Sequence, residues 1–405
     1  MRTPARRAEG KSKFNLRLPE RSCCRPFASV LASKGCGRPE FSTTHAMSAP
    51  LKGVSSHPKA FLFRAINEWN AFALDRRWWA VEYSYLGRSG LKIPLIGLGA
   101  WQFGSREWGW GREFSKEQAL ATLQRAFDLG MNLVDTAELY GGGLSEKIVG
   151  EAIKDRRDQV VVATKVSPWH LLPRSIRKAA DRSLRRLGIS EIDLYQIHFP
   201  NPLIPLGATM RAMERLIDEG KVRHLGVSNF GAQRLQRAQE SLARHEVVSD
   251  QVHYSLLRRG PEKHLVPYAQ KEHVTILAYS PLAQGILTGK YGPDRPVPGG
   301  VRAFNLYFSP QNRRRLSPLI ETLRLLAEKQ GKTPAQVALN WLLRQPQVVA
   351  IPGAKSPSQV QENAGSVGWR LTADDLDSIE EARRLFHTEY PLSTLNMLRR
   401  TLIPI

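Results

Sequence analysis

The chain has 405 residues, 42% of them apolar, and a formal net charge of +22. That length exceeds one small domain and suits a barrel with an extension. The charge first suggests nucleic acid, but it is uneven. Residues 1–80 carry fifteen Lys/Arg and five Asp/Glu, a net +10, which leaves +12 for residues 81–405, where no sustained basic run with interleaved aromatics occurs. A basic enzyme with an anionic small-molecule ligand fits better than a nucleic-acid binder. Cys23, Cys24 and Cys36 are the three cysteines, so disulfides, Cys-metal sites and thiol nucleophiles are excluded after residue 47. No apolar run approaches the ~18 residues of a membrane span.

Residues 1–46 hold ten Lys/Arg and only Glu9, Glu20 and Glu40 as acids, with no apolar h-region. This pattern predicts an organelle transit peptide; the bland alternative is a disordered basic tail. In residues 59–80, Leu62, Ile66, Trp69 and Ala73 fall at helical spacing and Trp78-Trp79 follow Arg76-Arg77. The segment reads as part of the leader, or else as a surface or membrane-interface helix. The predicted organisation is a leader over 1–80, a barrel domain over 81–390 and a tail over 391–405.

From residue 81 the chain alternates. Tyr83 to Ile93, with the Gly-rich turn Leu86–Leu91, predicts a hairpin. Leu95–Gly99 is the first buried strand; its glycines do not have the spacing of a dinucleotide fingerprint. A helix over Ala119–Phe127 ends at Gly130. Strand Leu133–Asp135 leads through Tyr140 and three glycines to a helix over Ser145–Lys154, with Ser145-Glu146 as its polar cap and Gly141–Gly143 as a flexible exit. Val160–Lys165 is a near-continuous apolar strand, as expected when both faces are covered. A helix over Ser175–Leu187, a strand over Ile192–His198, a helix over Leu206–Glu219, a strand over Leu225–Ser228 and a helix over Ala232–Arg244 follow. Strands Val248–Val252 and Thr275–Tyr279 flank a helix near Glu262–Lys271. A Gly- and Pro-rich loop runs from Ser280 to about Pro318; such a length inside a compact domain marks a lid or cofactor belt. Helices over Leu319–Gln330 and Pro334–Leu343, the strand Val348–Ile351, and helices near Ser358–Ala364 and Thr372–Arg384 complete the domain. Eight βα repeats predict an α/β fold, a closed (β/α)8 TIM barrel with an N-terminal β-hairpin and a long loop after strand 7.

In such a barrel the strand C-termini converge on one mouth. Asp135 and Tyr140 follow the second strand, Lys165 ends the third and His198 ends the fourth. Singly, each has a bland reading: a helix cap, a snorkelling lysine, a core histidine. Together, on consecutive strands, they point to catalysis. A tyrosine with a pKa near 10 is a poor acid at neutral pH. An adjacent ammonium, Lys165, favours phenolate and so makes Tyr140 a better acid; Asp135 keeps Lys165 charged and placed. His198 can donate to a carbonyl oxygen. The set protonates a carbonyl but supplies no hydride, which calls for a nicotinamide cofactor.

Seven stretches resemble the aldo-keto reductase superfamily: "GLGAWQFG", "NLVDTAELYGGGLSE", "VVATKV", "DLYQIHFP", "GKVRHLGVSNF", "LAYSPLAQGILTGKY" and "IPGAKSPSQVQENAG". The resemblance covers roughly residues 83–385. It implies Tyr140 as general acid, Lys165 and Asp135 as its modulators and His198 as the substrate-orienting residue. Pro168-Trp169 and "GWRLT" resemble the plant and algal plastid branch, some of whose members reduce pyridoxal. The implied compartment is therefore the chloroplast or another plastid, in stroma or plastoglobule, with the mitochondrion as alternative.

The resemblance also implies an NADPH site. Ser228, Asn229 and Gln251 would hold the carboxamide, and Tyr279 would stack on the nicotinamide. Ser280, Leu282, Gln284, Gly285 and Lys290 would clasp the pyrophosphate, and Gly353, Lys355, Gln359, Glu362 and Asn363 the adenosine end. Ser358 is expected to cap the helix that follows the last strand. Gly353 and Gln359 stand where many members have Lys or Arg; Lys355 is the basic group left in that segment and is expected to hold the 2′-phosphate, with NADPH expected over NADH. Trp101, Phe103, Trp108, Trp110 and Trp169 are expected on mouth loops, as walls for a planar or apolar carbonyl substrate or as a roof over the core. An NADPH-binding regulatory subunit, like the potassium-channel β-subunits of this fold, is the alternative function. A barrel metallohydrolase would need further His/Asp ligands at strand ends, and they are missing. No interface signature for an oligomer is legible.

Overall fold

The structure, a computed structural model, describes residues 81–296 and 298–388. The predicted leader, its helix-spaced segment and the tail over 391–405 lie outside the described residues. Strands β1 (Tyr83–Tyr85) and β2 (Lys92–Pro94) form an antiparallel hairpin. After β3 (Leu98–Gly99) the chain alternates through α1 (Lys116–Asp128), β4 (Leu133–Asp135), α2 (Leu144–Ile153), β5 (Val161–Val166), α3 (Pro173–Leu187), β6 (Ile192–Ile197) and α4 (Leu206–Asp218). It continues through β7 (Val222–Ser228), α5 (Ala232–Glu240), β8 (Val247–His253), α6 (Pro261–Glu272) and β9 (Thr275–Tyr279). The last elements are α7 (Pro310–Gln330), α8 (Pro334–Leu343), β10 (Val348–Ile351), α9 (Pro357–Ala364) and α10 (Ala373–Arg384).

Strands β3 to β10 lie side by side in sequence order, all parallel. The first meets the last: Ile96 and Gly99 bridge Ala350 and Gly353, and the Gly97 N–H donates to the Ala350 carbonyl at 2.8 Å. The sheet is thus a closed (β/α)8 TIM barrel. Strands buried on both faces read as continuous apolar runs because helices cover the outside and neighbouring strands fill the inside. The interior cluster of Leu133, Val161, Ala163, Leu194, Leu277 and Val349 is joined by Leu86 and Ile93 of the hairpin. The Gly87 N–H donates to Oγ1 of Thr275, the first residue of β9, at 2.8 Å. The hairpin therefore plugs the end where strands begin, and chemistry is left to the other end.

Four local expectations are corrected. The first strand is shorter than Leu95–Gly99, because Ile96 makes an isolated bridge and strand pairing resumes only at Leu98. Helix α7 starts nine residues before Leu319, at Pro310, with Ser309 accepting from the Asn312 N–H; Pro318 lies inside it rather than before it. Ser145 and Glu146 do not cap α2, whose N-cap is Gly143. The Ser145 hydroxyl donates to the Ala100 carbonyl at 2.9 Å, and Glu146, fully buried, accepts from Thr164 Oγ1 at 2.7 Å and Arg186 Nε at 2.5 Å. Ser356, not Ser358, caps α9, accepting from the Gln359 N–H.

Candidate active site

Alternation along the strands turns every second side chain inward. Above the apolar plug this places Asp135 (β4), Lys165 (β5), Gln196 (β6) and Gln251 (β8) together. Lys165 is fully buried and Asp135 nearly so. The Lys165 ammonium donates to Asp135 Oδ1 at 2.6 Å, to the Thr136 carbonyl at 2.8 Å and to the Tyr140 hydroxyl at 3.1 Å. All three of its protons are used. Asp135 Oδ2 accepts from Gln251 Nε2 at 2.7 Å and from Gln196 Nε2 at 3.1 Å. A buried ion pair survives its desolvation cost when the remaining polar valences are satisfied, as they are here.

Tyr140 opens a tight 3-10 turn, Tyr140–Gly143, in which Gly141 and Gly142 have φ of 54° and 65°. A Cβ at Gly141 would lie 2.7 Å from the Gly104 carbonyl. These glycines are therefore a required left-handed passage pressed against the preceding loop, not a flexible exit. The turn holds the phenol over Lys165, whose ammonium is 4.7 Å from the ring centroid.

The electrostatics correct one expectation. Burial raises the Tyr140 pKa, Asp135 adds to this, and Lys165 offsets only part of it. The phenol is held as a proton donor; it is not acidified overall. Burial alone would lower Lys165, but Asp135 and Tyr140 outweigh it and keep the ammonium charged. Burial and the Lys165 charge push His198 down to about 3, so its imidazole is neutral. Its ring stands edge-on to Tyr140 with centroids 5.7 Å apart, and its Nδ1 is buried without a hydrogen-bond partner.

Around this centre, Trp101 stacks on Tyr140 at 6.1 Å and meets Trp108 edge-on at 5.1 Å. Trp169 is exposed at the rim. Trp110 packs edge-on against Phe114 at 5.2 Å, and Phe103 is fully buried. Those two roof the core, so the predicted wall loses them.

The residues assigned to a cofactor lie along one flank. The Ser228 hydroxyl donates to the Gln251 carbonyl at 2.8 Å; Asn229, with φ of 62°, donates to the His198 carbonyl at 3.1 Å and accepts from the Tyr279 hydroxyl at 3.0 Å. Ser280, Gln284 and Gly285 take left-handed conformations in the loop after β9, and the Leu282 carbonyl accepts from the Gly285 N–H at 2.9 Å. Gln251 spends its amide protons on Asp135 and Gln196. Further along, the Lys355 N–H donates to Gln359 Oε1 at 2.8 Å, Gly353 bridges Gly99, and Asn363 is buried with Nδ2 unpartnered. The Glu362 carbonyl accepts from Gln336 at 2.9 Å. The Lys290 ammonium lies 5.0 Å from the Tyr291 ring centroid.

Sequence reasoning missed several members. Gln196 is an uncharged amide inside a strand and carries no periodic signal. Arg302 sits in an aperiodic loop, yet its guanidinium covers the Trp108 ring at 4.8 Å and its Nε donates to the Gln284 carbonyl at 2.9 Å. Glu138 accepts from the Ser167 N–H at 2.7 Å and contacts His170 Nε2 at 2.9 Å, joining the loops after β4 and β5. Burial alone would raise its carboxyl, but these partners hold it down to about 2. Among the described residues no cluster of three or more His, Cys, Asp or Glu could hold a metal, and no helix is long and apolar enough to cross a membrane.

A closed parallel barrel with a Tyr–Lys–Asp–His set at its mouth is an arrangement suited to an oxidoreductase. Comparison with known proteins agrees. Residues 95–384 match the model of the aldo/keto reductase family. An oxidoreductase of Mycobacterium tuberculosis is 47% identical over 76% of this chain and 95% of its own length. The chloroplastic pyridoxal reductase of Arabidopsis thaliana is 35% identical over 77% of this chain and 88% of its own, so that bacterial relative is the more similar of the two. A solved aldo/keto reductase of Klebsiella pneumoniae, in complex with NADP and acetate, has a TM-score of 0.60 at 32% identity and covers 74% of this chain and 95% of that one. The chain belongs to the aldo/keto reductase family.

Proposed function

We propose that the protein is an NADPH-dependent reductase that converts an aldehyde or ketone to an alcohol, with Tyr140 as general acid. The observation that carries this reading is the Lys165 ammonium bonded at once to Asp135 and to the Tyr140 hydroxyl, beside a neutral His198. The flank residues fit a dinucleotide. Tyr279 offers an aromatic face. Burial lowers the Lys355 pKa, Glu113 opposes this, and the Arg302 and Lys290 charges add to the lowering; such a cationic group suits phosphates. When bound, the nicotinamide supplies the hydride. The chain's own residues do the rest. His198, neutral, donates from Nε2 to orient a carbonyl oxygen toward Tyr140. Tyr140 releases its proton to that oxygen. Lys165 stabilises the phenolate left behind, and Asp135, fixed by two amides, keeps the ammonium in place.

Trp101, Trp108 and Trp169 favour a planar or apolar carbonyl, of which pyridoxal is one. The intact tetrad favours turnover over a purely regulatory role. For compartment, we propose import of the chain into a plastid: the basic, acid-poor composition of residues 1–46 supports a transit segment, and the resemblance of Pro168-Trp169 and "GWRLT" to the plastid branch favours a plastid over a mitochondrion.

The test is Tyr140→Phe, assayed with pyridoxal, aromatic aldehydes and small reactive carbonyls. Carbonyl reduction is expected to fall by roughly 10²–10⁴-fold, the usual contribution of a positioned acid, while NADPH binding stays near wild type. Retained turnover in that variant would remove Tyr140 from its role.

A further inference from the structure

Lys355 does not stand free. Its ammonium donates to Glu113 Oε2 at 2.7 Å and to the Trp108 carbonyl, both on the loop after β3, and lies 5.2 Å from the Phe114 ring centroid. Two oxygens from one loop thus surround the ammonium much as phosphate oxygens would. The carboxylate is placed there by its turn. The Glu113 N–H donates to the Gly109 carbonyl at 2.7 Å, and Gly109 has φ of 91°. A Cβ at position 109 would lie 2.4 Å from the Glu113 carboxyl carbon, so only glycine lets that carboxylate fold back over the turn. The same loop is tied to the long loop after β9 by Arg302 over Trp108. Arg302 and Lys290 also act electrostatically on Lys355, and Glu113 is the carboxylate paired with it.

We propose that Glu113 is a specificity-determining residue for the cofactor: an internal counter-ion that a 2′-phosphate must displace from Lys355. The inference rests on the reading of Lys355 as the 2′-phosphate ligand. Displacement reduces the gain from binding that phosphate. A nucleotide without it leaves the pair intact. The chain therefore separates NADPH from NADH less sharply than a lysine without a counter-ion would. Glu113 is half exposed, so its pair with Lys355 is worth only a small free energy.

The experiment is titration calorimetry of the full chain with NADP⁺, NAD⁺ and 2′,5′-ADP, for wild type, Glu113→Gln and Lys355→Met, with thermal unfolding of each as a check on folding. Glu113→Gln is expected to tighten NADP⁺ and 2′,5′-ADP by roughly two- to five-fold and leave NAD⁺ unchanged. Lys355→Met is expected to weaken NADP⁺ more than NAD⁺. If Lys355→Met weakens both alike, the 2′-phosphate reading falls. If it acts as expected while Glu113→Gln leaves NADP⁺ unchanged, weaker, or tightened no more than NAD⁺, the role of Glu113 alone is overturned.

Discussion

At the scale of single residues, the site is built from groups whose charge is set by burial. His198 is pushed down to about 3, and His253, half-buried at the end of β8 near Arg258, to about 4. In the unfolded chain a histidine titrates near 6.5. The unfolded state therefore binds more protons between pH 6.5 and these lower values, and stability falls with pH across that window. The contribution is fully present above pH 6.5 and is lost as pH drops toward 3. Thermal unfolding between pH 7 and 4 should show a steady fall in Tm. His253→Gln, which removes one titrating group, should flatten the slope; an unchanged slope would mean that His253 does not titrate as its burial implies. The four mouth residues were legible in sequence because ionisable side chains at the ends of apolar strands stand out. Gln196, Glu113 and Arg302 were not. An amide within a strand resembles any outward polar position, and loop residues have no period to read.

Between elements, the decisive contacts are buried side chains that tie one βα unit to the next. Glu146 of α2 is the clearest: it joins Thr164 on β5 to Arg186 on α3 with no exposure to water. Removing one partner of such a pair leaves an uncompensated charge. Glu146→Ala should cost about 3 kcal/mol or more, measured as a shift in the denaturant midpoint, with kcat in the remaining folded protein close to wild type. A loss below the ~1 kcal/mol of an exposed pair would show that the contact adds little. In sequence, Glu146 looked like a helix cap, because Ser-Glu after glycines is the usual opening of a helix. The true helix start, one residue earlier on a left-handed glycine, freed both side chains to point inward. The start of helix α7 is hidden in the sequence by a proline. Pro318 lacks an N–H and normally marks a boundary, yet here the helix runs through it from Pro310 to Gln330.

On the scale of the whole molecule, the repeating βα pattern was enough to fix the barrel, because eight strands buried on both faces leave no other closed arrangement of that period. The proposed leader over residues 1–80 is read from composition alone. Residues 1–80 fused to a fluorescent protein should carry it into plastids when expressed in plant cells. Accumulation in mitochondria would move the compartment to the alternative, and a diffuse signal would discard the transit reading. The hairpin that fills the barrel's base adds a practical point. Tyr83 donates to the Gly130 carbonyl at 2.9 Å, where α1 gives way to β4, and Val81 packs alongside. The chain thus enters the domain on the face opposite the mouth. A resin, tag or second enzyme joined ahead of residue 81 would hold the catalyst by its blind end, with the opening turned toward solution and free to exchange substrate.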